Sequence, residues 1–462
     1  MLICHECESV AFSSPGRPQP SAGRLLAGRS NGRMKALRVG SGLTTGVPGT
    51  TARPRRSVAP AAILAGGALV TLLIMSVFAP QAHAGESDPR DSPPSQPLAE
   101  GRPIFERKGC AGCHSVWGAA GDQHVGPDLG WSGSWRDIMQ FAGSLWNHAP
   151  AMLSEMHKRQ VAPAAISPDE MTKLAAYLFY AKFLDEPGNV DRGRELFQQR
   201  SCAECHQLAG RGGTVGPRLD ELKPYASSFF MAQALWNHGP EMAAKMAELK
   251  IDRPLFQGND VAHIVALIRG ESQAAAPREL AYAQAGSPRT GKALFQQKGC
   301  VKCHSIAGTG GTAAPDLGKQ RLRPRVAEMA GAFWNHGPTM WAKMKELGVP
   351  YPRFSDREMA DLLSYLYFVQ YMGESGNATT GSGLFQAKSC SQCHAVGGEG
   401  PKVGRDLGAS DAPRSPFHWA SAMWNHAAAV EKARAPQPTA ARFEDDEMRD
   451  LVEYLRSRGE KK

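Results

Sequence analysis

The sequence predicts an all-α chain built from four tandem copies of one small helical unit, and three observations carry that prediction. Four segments align, "GRPIFERKGCAGCH", "GRELFQQRSCAECH", "GKALFQQKGCVKCH" and "GSGLFQAKSCSQCH", and their first cysteines, Cys110, Cys202, Cys300 and Cys390, lie 92, 98 and 90 residues apart. A fixed period of that kind marks a repeated structural unit. Apolar residues in stretches such as "LFQQKGC" and "EMADLLSYL" recur at helical spacing. Gly and Pro punctuate the intervening segments, and no run of β-branched alternation occurs. The units span 100–186, 187–270, 287–372 and 373–462, after a leader over 1–84 and a linker over 85–99, with a second linker over 271–286.

Every unit carries its elements in one order. An opening helix ends at the cysteine motif, then come a Gly-rich loop, a Pro-Asp-Leu-like turn, a segment containing Trp-Asn-His, and a closing helix such as "DREMADLLSYLYF". A unit of about 90 residues is small for a self-sufficient core, so a bound group should help fill it. The joins between units one and two ("YAKFLDEPGNVDRG") and three and four ("FVQYMGESGNATTG") are equal in length, whereas "RGESQAAAPRELAYAQAGSPRTG" between two and three is longer. This predicts two two-unit modules, one with two and three with four, joined by an Ala/Pro-rich connector.

The formal charge of +9 does not describe the folded part. Residues 1–84 hold nine Lys/Arg and two Asp/Glu, which leaves only +2 for the remainder. A nucleic-acid function, which needs a basic patch on the domain, loses its support. The leader has the form of an export signal. Arg53, Arg55 and Arg56 precede the apolar run 59–78, and Ala82-His83-Ala84 is a small-residue cleavage pattern, so cleavage is expected after Ala84. The run is long for a signal peptide, and an uncleaved anchor over 59–78 is the alternative. Met34 would make a more ordinary start, and Cys4 and Cys7, followed by Glu8, receive no role.

The other eight cysteines all fall in Cys-x-x-Cys-His: Cys110/Cys113/His114, Cys202/Cys205/His206, Cys300/Cys303/His304 and Cys390/Cys393/His394. The motif is the attachment signature of c-type haem. Two thiols one helical turn apart add to the two vinyl groups, and the adjacent histidine reaches the iron. A zinc site would pair two such motifs, and a redox dithiol has no need of the histidine. Four copies with the histidine always present, behind an export leader, point to four covalently bound haem c groups.

With these motifs the chain resembles the class I cytochrome c family, four domains in tandem over roughly Glu100 to Lys462. The resemblance rests on the Gly and Phe before each motif (Phe105, Phe197, Phe295, Phe385) and on an aromatic in the closing helix (Tyr177, Tyr365, Tyr454), with Leu267 departing in unit two. It also covers the proline after the motif (Pro127, Pro217, Pro315), whose carbonyl in this family accepts a hydrogen bond from the proximal histidine. Arg405 stands there in unit four. The resemblance implies helical haem-wrapping domains with proximal ligands His114, His206, His304 and His394.

The sixth ligand of a low-spin haem is usually Met or His. In units one to three two methionines compete, four residues apart: Met152, Met242 and Met340, or Met156, Met246 and Met344. The second set lies 42, 40 and 40 residues after the proximal histidine, as in small class I cytochromes, and is preferred. The Trp-Asn-His histidines (His148, His238, His336, His426) are the third choice, with a structural hydrogen bond as their plainer role. Unit four has lost both methionines to Val430 and Arg434. There the candidates are His426, His418, Met423, Met448 or no protein ligand, with His426 preferred and Met448 expected to pack in the closing helix.

No nucleotide-binding, Ser-His-Asp or HExxH pattern appears. The leading reading is an exported, periplasmic tetrahaem cytochrome that transfers single electrons between redox protein partners and has no catalytic activity of its own. Two alternatives stand beside it. One is a haem enzyme, of peroxidase or small-oxyanion-reductase type, using an open fourth haem. The other is a cytochrome subunit of a membrane oxidoreductase complex.

Overall fold

Side-chain caps fix where the helices begin. Asn189 accepts from the Arg192 amide, Asn377 from those of Thr379 and Thr380, and Asp137 from those of Met139 and Gln140. Ser167 with Glu170, and Ser355 with Glu358, form reciprocal capping boxes at the closing helices of units one and three. The computed structural model of the chain describes residues 95–118, 125–130, 135–221, 227–271, 286–320, 325–409, 415–434 and 442–459. The leader readings (cleavage after Ala84, the run 59–78, the start at Met34, Cys4 and Cys7) lie outside the described residues, as does most of the 271–286 linker.

Opening helices run Pro97–Arg107, Val190–Gln199, Pro288–Gln297 and Ala378–Ala387. The first begins within the stretch read from sequence as linker, and Leu98 is already buried there. The Trp-Asn-His helices run Ile138–Lys158, Val326–Glu346 and Pro416–Arg434; in unit two two helices, Ser228–Asn237 and Gly239–Glu248, meet at His238. Closing helices run Pro168–Phe183, Asp260–Glu271, Asp356–Tyr371 and Glu447–Gly459. Strands among the described residues are limited to two tiny hairpins after the motifs of units two and three, Gln207–Leu208 with Arg211–Gly212 and Ser305–Ile306 with Thr309–Gly310. No helix among the described residues is long and apolar enough to cross a membrane.

In each unit the opening helix lies against the closing one. The Gly four residues before the Phe permits this approach. A methyl on Gly381 would lie 1.9 Å from the Asp450 carbonyl oxygen, and one on Gly291 2.0 Å from that of Asp361. The Phe then meets the aromatic: Phe105–Tyr177, Phe295–Tyr365 and Phe385–Tyr454 have ring centroids 5.6, 5.9 and 5.8 Å apart. In unit two Phe197 and Leu267 are both buried, so the aliphatic residue keeps the core closed. A cation just before each motif ties down the start of the closing helix. Lys108–Glu170, Arg200–Asp260 and Lys298–Glu358 are each 2.8 Å apart, and Lys388–Glu447 is 2.6 Å.

The units pair differently from the sequence expectation. The Trp-Asn-His helix of unit one packs against that of unit four, and that of unit two against that of unit three. This corrects the grouping of one with two and three with four. The physical reason is that contacts made by side chains from remote segments, not the short joins, decide which faces meet. Between units one and three, Phe179 and Tyr367, which hold equivalent places in the two closing helices, are stacked with centroids 4.4 Å apart. Phe183–Phe229 and Tyr371–Phe417, both 5.8 Å, are equivalent contacts on either side.

Candidate haem sites

The opening helix of each unit ends on a residue in the left-handed region, Gly109 (φ 81°), Ser201 (φ 56°), Gly299 (φ 83°) or Ser389 (φ 62°). That residue turns the chain into one tight helical turn holding the two cysteines. The amide of His114 donates to the Cys110 carbonyl at 2.9 Å, and His206, His304 and His394 repeat the bond at 2.9, 3.0 and 2.9 Å. Both thiols of every motif are therefore half-buried and on one turn, with the histidine beside them. Burial pushes the first thiol of a motif up, to about 11 at Cys110 and Cys300 and about 12 at Cys202.

The proximal imidazoles are oriented identically. Nδ1 of His114 lies 3.0 Å from the Pro127 carbonyl oxygen, and Nδ1 of His206 and His304 2.9 Å from those of Pro217 and Pro315. His394 makes the same 2.9 Å contact with Arg405, so replacing the proline leaves the backbone acceptor in place. With Nδ1 occupied by a carbonyl, Nε2 is the nitrogen available to a metal. The preceding residue packs on the ring: a methyl on Gly126 would lie 2.3 Å from His114 Cε1.

The aspartate of the turn holds that carbonyl loop. Asp128 accepts from the amides of Trp117, Gly118 and Gly130 and from Ser115 Oγ. Burial would raise its carboxyl, but these donors outweigh it and hold it below the ordinary range. Asp316 and Asp406 make equivalent sets of amide contacts in units three and four. In unit two Arg218 takes this place and pairs with Asp220 at 2.8 Å.

The Trp-Asn-His helices carry the sixth-ligand candidates. Met152 and Met156, Met242 and Met246, and Met340 and Met344 are one turn apart within continuous helix, and all six are partly buried. His148 and His336 turn back onto their own helices, with Nδ1 2.7 Å from the Ser144 oxygen and 2.9 Å from that of Ala332. In unit four Met448 is fully buried in the closing helix, as expected, and Met423 packs against the core. His426 faces His394, ring centroids 6.1 Å apart.

The other two letters of Trp-Asn-His serve a purpose that sequence reasoning missed. Each Asn clasps one residue of the paired unit through both its backbone groups. Asn237 Nδ2 donates to the Phe354 carbonyl at 2.7 Å, and the Phe354 amide returns a bond to Oδ1 at 3.0 Å. Asn147 does this to Phe443, Asn335 to Phe256 and Asn425 to Ile166. The indole N–H of Trp236, Trp334 and Trp424 donates to a carbonyl two residues earlier, on Pro352, Pro254 and Ala164. Fourfold recurrence of Trp-Asn was the available signal; the partners are backbone groups, which leave none.

A family model for cytochrome c matches residues 190–266, 288–369 and 378–459. The chain belongs to the cytochrome c family. Matches fall on units two, three and four; unit one lies outside them yet carries the same motif turn and the same imidazole–carbonyl contact. No curated protein and no solved structure gives a match. Membership implies covalently bound haem c and haem-based electron transfer. The residues fit that group: paired thiols on one turn, and an imidazole whose outer nitrogen is already bonded. Among the described residues no three His, Cys, Asp or Glu gather as a protein-held metal ion would need.

Proposed function

We propose that the chain is an exported tetrahaem cytochrome c that passes single electrons between redox protein partners in the periplasm. The observation that carries the fourth haem is the recurrence of one arrangement in all four units, unit one included: Cys-x-x-Cys-His on a tight turn, with Nδ1 bonded to a loop carbonyl. Cys110 and Cys113, Cys202 and Cys205, Cys300 and Cys303, and Cys390 and Cys393 would hold the porphyrins, with His114, His206, His304 and His394 as proximal ligands. Met156, Met246 and Met344 are the distal ligands of the first three haems. Bound haem supplies a one-electron iron couple. The chain's own contribution is to fix each imidazole through its carbonyl contact, strengthening it as a donor, and to lock the distal helices across unit pairs.

Export is supported by the leader and by the family, whose members are typically extracellular or periplasmic. Intact mass and haem content of the purified holoprotein test the assignment. Four haems per chain and an amino terminus at Gly85 are expected. Three haems, with unit one unmodified, would overturn the tetrahaem reading. Recovery in the membrane fraction with residues 59–78 retained would overturn the freely periplasmic one.

A further inference from the structure

We propose that haem four is held by two histidines, His394 and His426, and is thereby set apart from the methionine-ligated haems of units one to three; this rests on the haem reading above. Two imidazoles bound on opposite sides of one iron, with metal–nitrogen bonds of about 2 Å and ring centres about 1 Å further out, have centroids roughly 6 Å apart. His394 and His426 stand 6.1 Å apart with ring planes inclined at 64°. The spacing is that of a pair with an iron between them, and too wide for a direct hydrogen bond.

Three further features make His426 the donor. Both methionine positions are lost in this unit, to Val430 and Arg434. His394 has Nδ1 committed to the Arg405 carbonyl, so Nε2 is the nitrogen it offers. His426 also differs from two of its three counterparts. His148 and His336 are bonded to their own helices, whereas among the described residues the ring contact of His426 is with His394. Its backbone is locked beforehand by the adjacent Asn425 clasp on Ile166 and by Trp424 on Ala164. The competitors are placed elsewhere. Met448 is buried in the closing helix, and His418 lies two turns earlier, at the start of the same helix.

Met ligation raises a haem potential relative to His, so haem four is the low-potential member of the set. The test uses the haem-loaded full chain, with EPR, near-infrared magnetic circular dichroism, carbon monoxide titration and haem content. The wild type should show three Met–His signatures and one bis-imidazole signature, all low-spin, with no carbon monoxide uptake. His426→Ala should keep four haems, lose the bis-imidazole signal, gain one high-spin haem, and bind one equivalent of carbon monoxide per chain. His426→Met should convert the signal to a fourth Met–His one at higher potential, and His418→Ala should change nothing. A wild-type fourth haem that is high-spin or Met-ligated, or a His426→Ala spectrum identical to wild type, would overturn the proposal. A chain with no haem on Cys390 and Cys393 would instead mark failure of the four-haem reading, and haem content tells these outcomes apart.

Discussion

Replacing Asn237 with leucine should open the interface between units two and three without emptying either core. Leucine keeps the branch at Cγ and the same number of side-chain heavy atoms, so no cavity is left. The loss is in hydrogen bonds. Asn237 and Phe354 are buried, and the Phe354 amide loses its bond to Oδ1. Leaving such a donor unsatisfied costs about 1–3 kcal/mol. The Phe354 carbonyl loses one donor but keeps Gln233 Nε2 at 3.1 Å, so only the net worth of one bond, about 1 kcal/mol, is lost there. Together the interface weakens by about 2–4 kcal/mol, a roughly 30- to 700-fold rise in opening at about 1.4 kcal/mol per decade. Amide hydrogen exchange on the haem-loaded protein reads this directly. The informative probe is Phe256, whose amide is held by Asn335 across the same interface and is untouched by the substitution. Its protection should fall together with that of Phe354, while Ile166, clasped by Asn425 in the other pair, keeps its own. If Phe354 alone loses protection, the clasps are local bonds and do not hold the units together.

Two glycines in the opening helix of unit four should respond oppositely. Gly381→Ala puts a methyl 1.9 Å from the Asp450 oxygen and should cost about 1–3 kcal/mol by thermal unfolding, whereas Gly383→Ala, with nothing within 4 Å, should gain up to about 1 kcal/mol. Two tyrosines of the closing helix of unit three form a similar pair. Tyr367→Phe should cost about 1 kcal/mol by removing the 2.9 Å bond to the Phe179 carbonyl; Tyr371→Phe should be neutral or stabilising, because that buried hydroxyl has no partner among the described residues. Acid stability should follow the Lys108–Glu170 tie. Its ion pair with Lys108 holds Glu170 down at about 2, below the ordinary carboxylate value, so its stabilising contribution is complete above pH about 4.5 and is lost as pH falls towards 2. The pair is partly screened by solvent, so Lys108→Met should cost under about 1 kcal/mol at pH 7 and flatten the acid limb of a stability–pH curve.

What was legible in the sequence follows from where each partner lies. Opening and closing helices were readable because both faces of that contact are side-chain patterns, a Gly four residues before a Phe and an aromatic at fixed distance. The proximal contact was readable in units one to three; Arg405 left it open in unit four, where its backbone carbonyl proves to take the place of that of Pro. The pairing of units was not. Asn147 reaches Phe443, 296 residues away, and it binds amide and carbonyl groups that any residue presents. Composition and length of the joins carried no information about those faces. Loss of methionines in unit four was plain from sequence; the approach of His426 to His394 needed the helix to be placed.

The Trp-Asn-His helix has two attachments, and their order along the chain couples them. Trp and Asn bind the backbone of the paired unit, and in units one and three the histidine and then the methionines follow within two and a half turns on the same helix. Distal candidates on an unbroken helix are therefore positioned by a segment of a different unit: those of unit three by 254–256 of unit two, and His426 by 164–166 of unit one. Helices resist bending over two turns, so a clasp that shifts carries the candidate ligand with it. Asn425→Leu would then alter the spectrum of haem four, with every ligand of that haem left in the sequence. Unit four keeps Trp424 and Asn425 intact after losing both methionines, which is what a helix needed for docking and for a histidine ligand would retain.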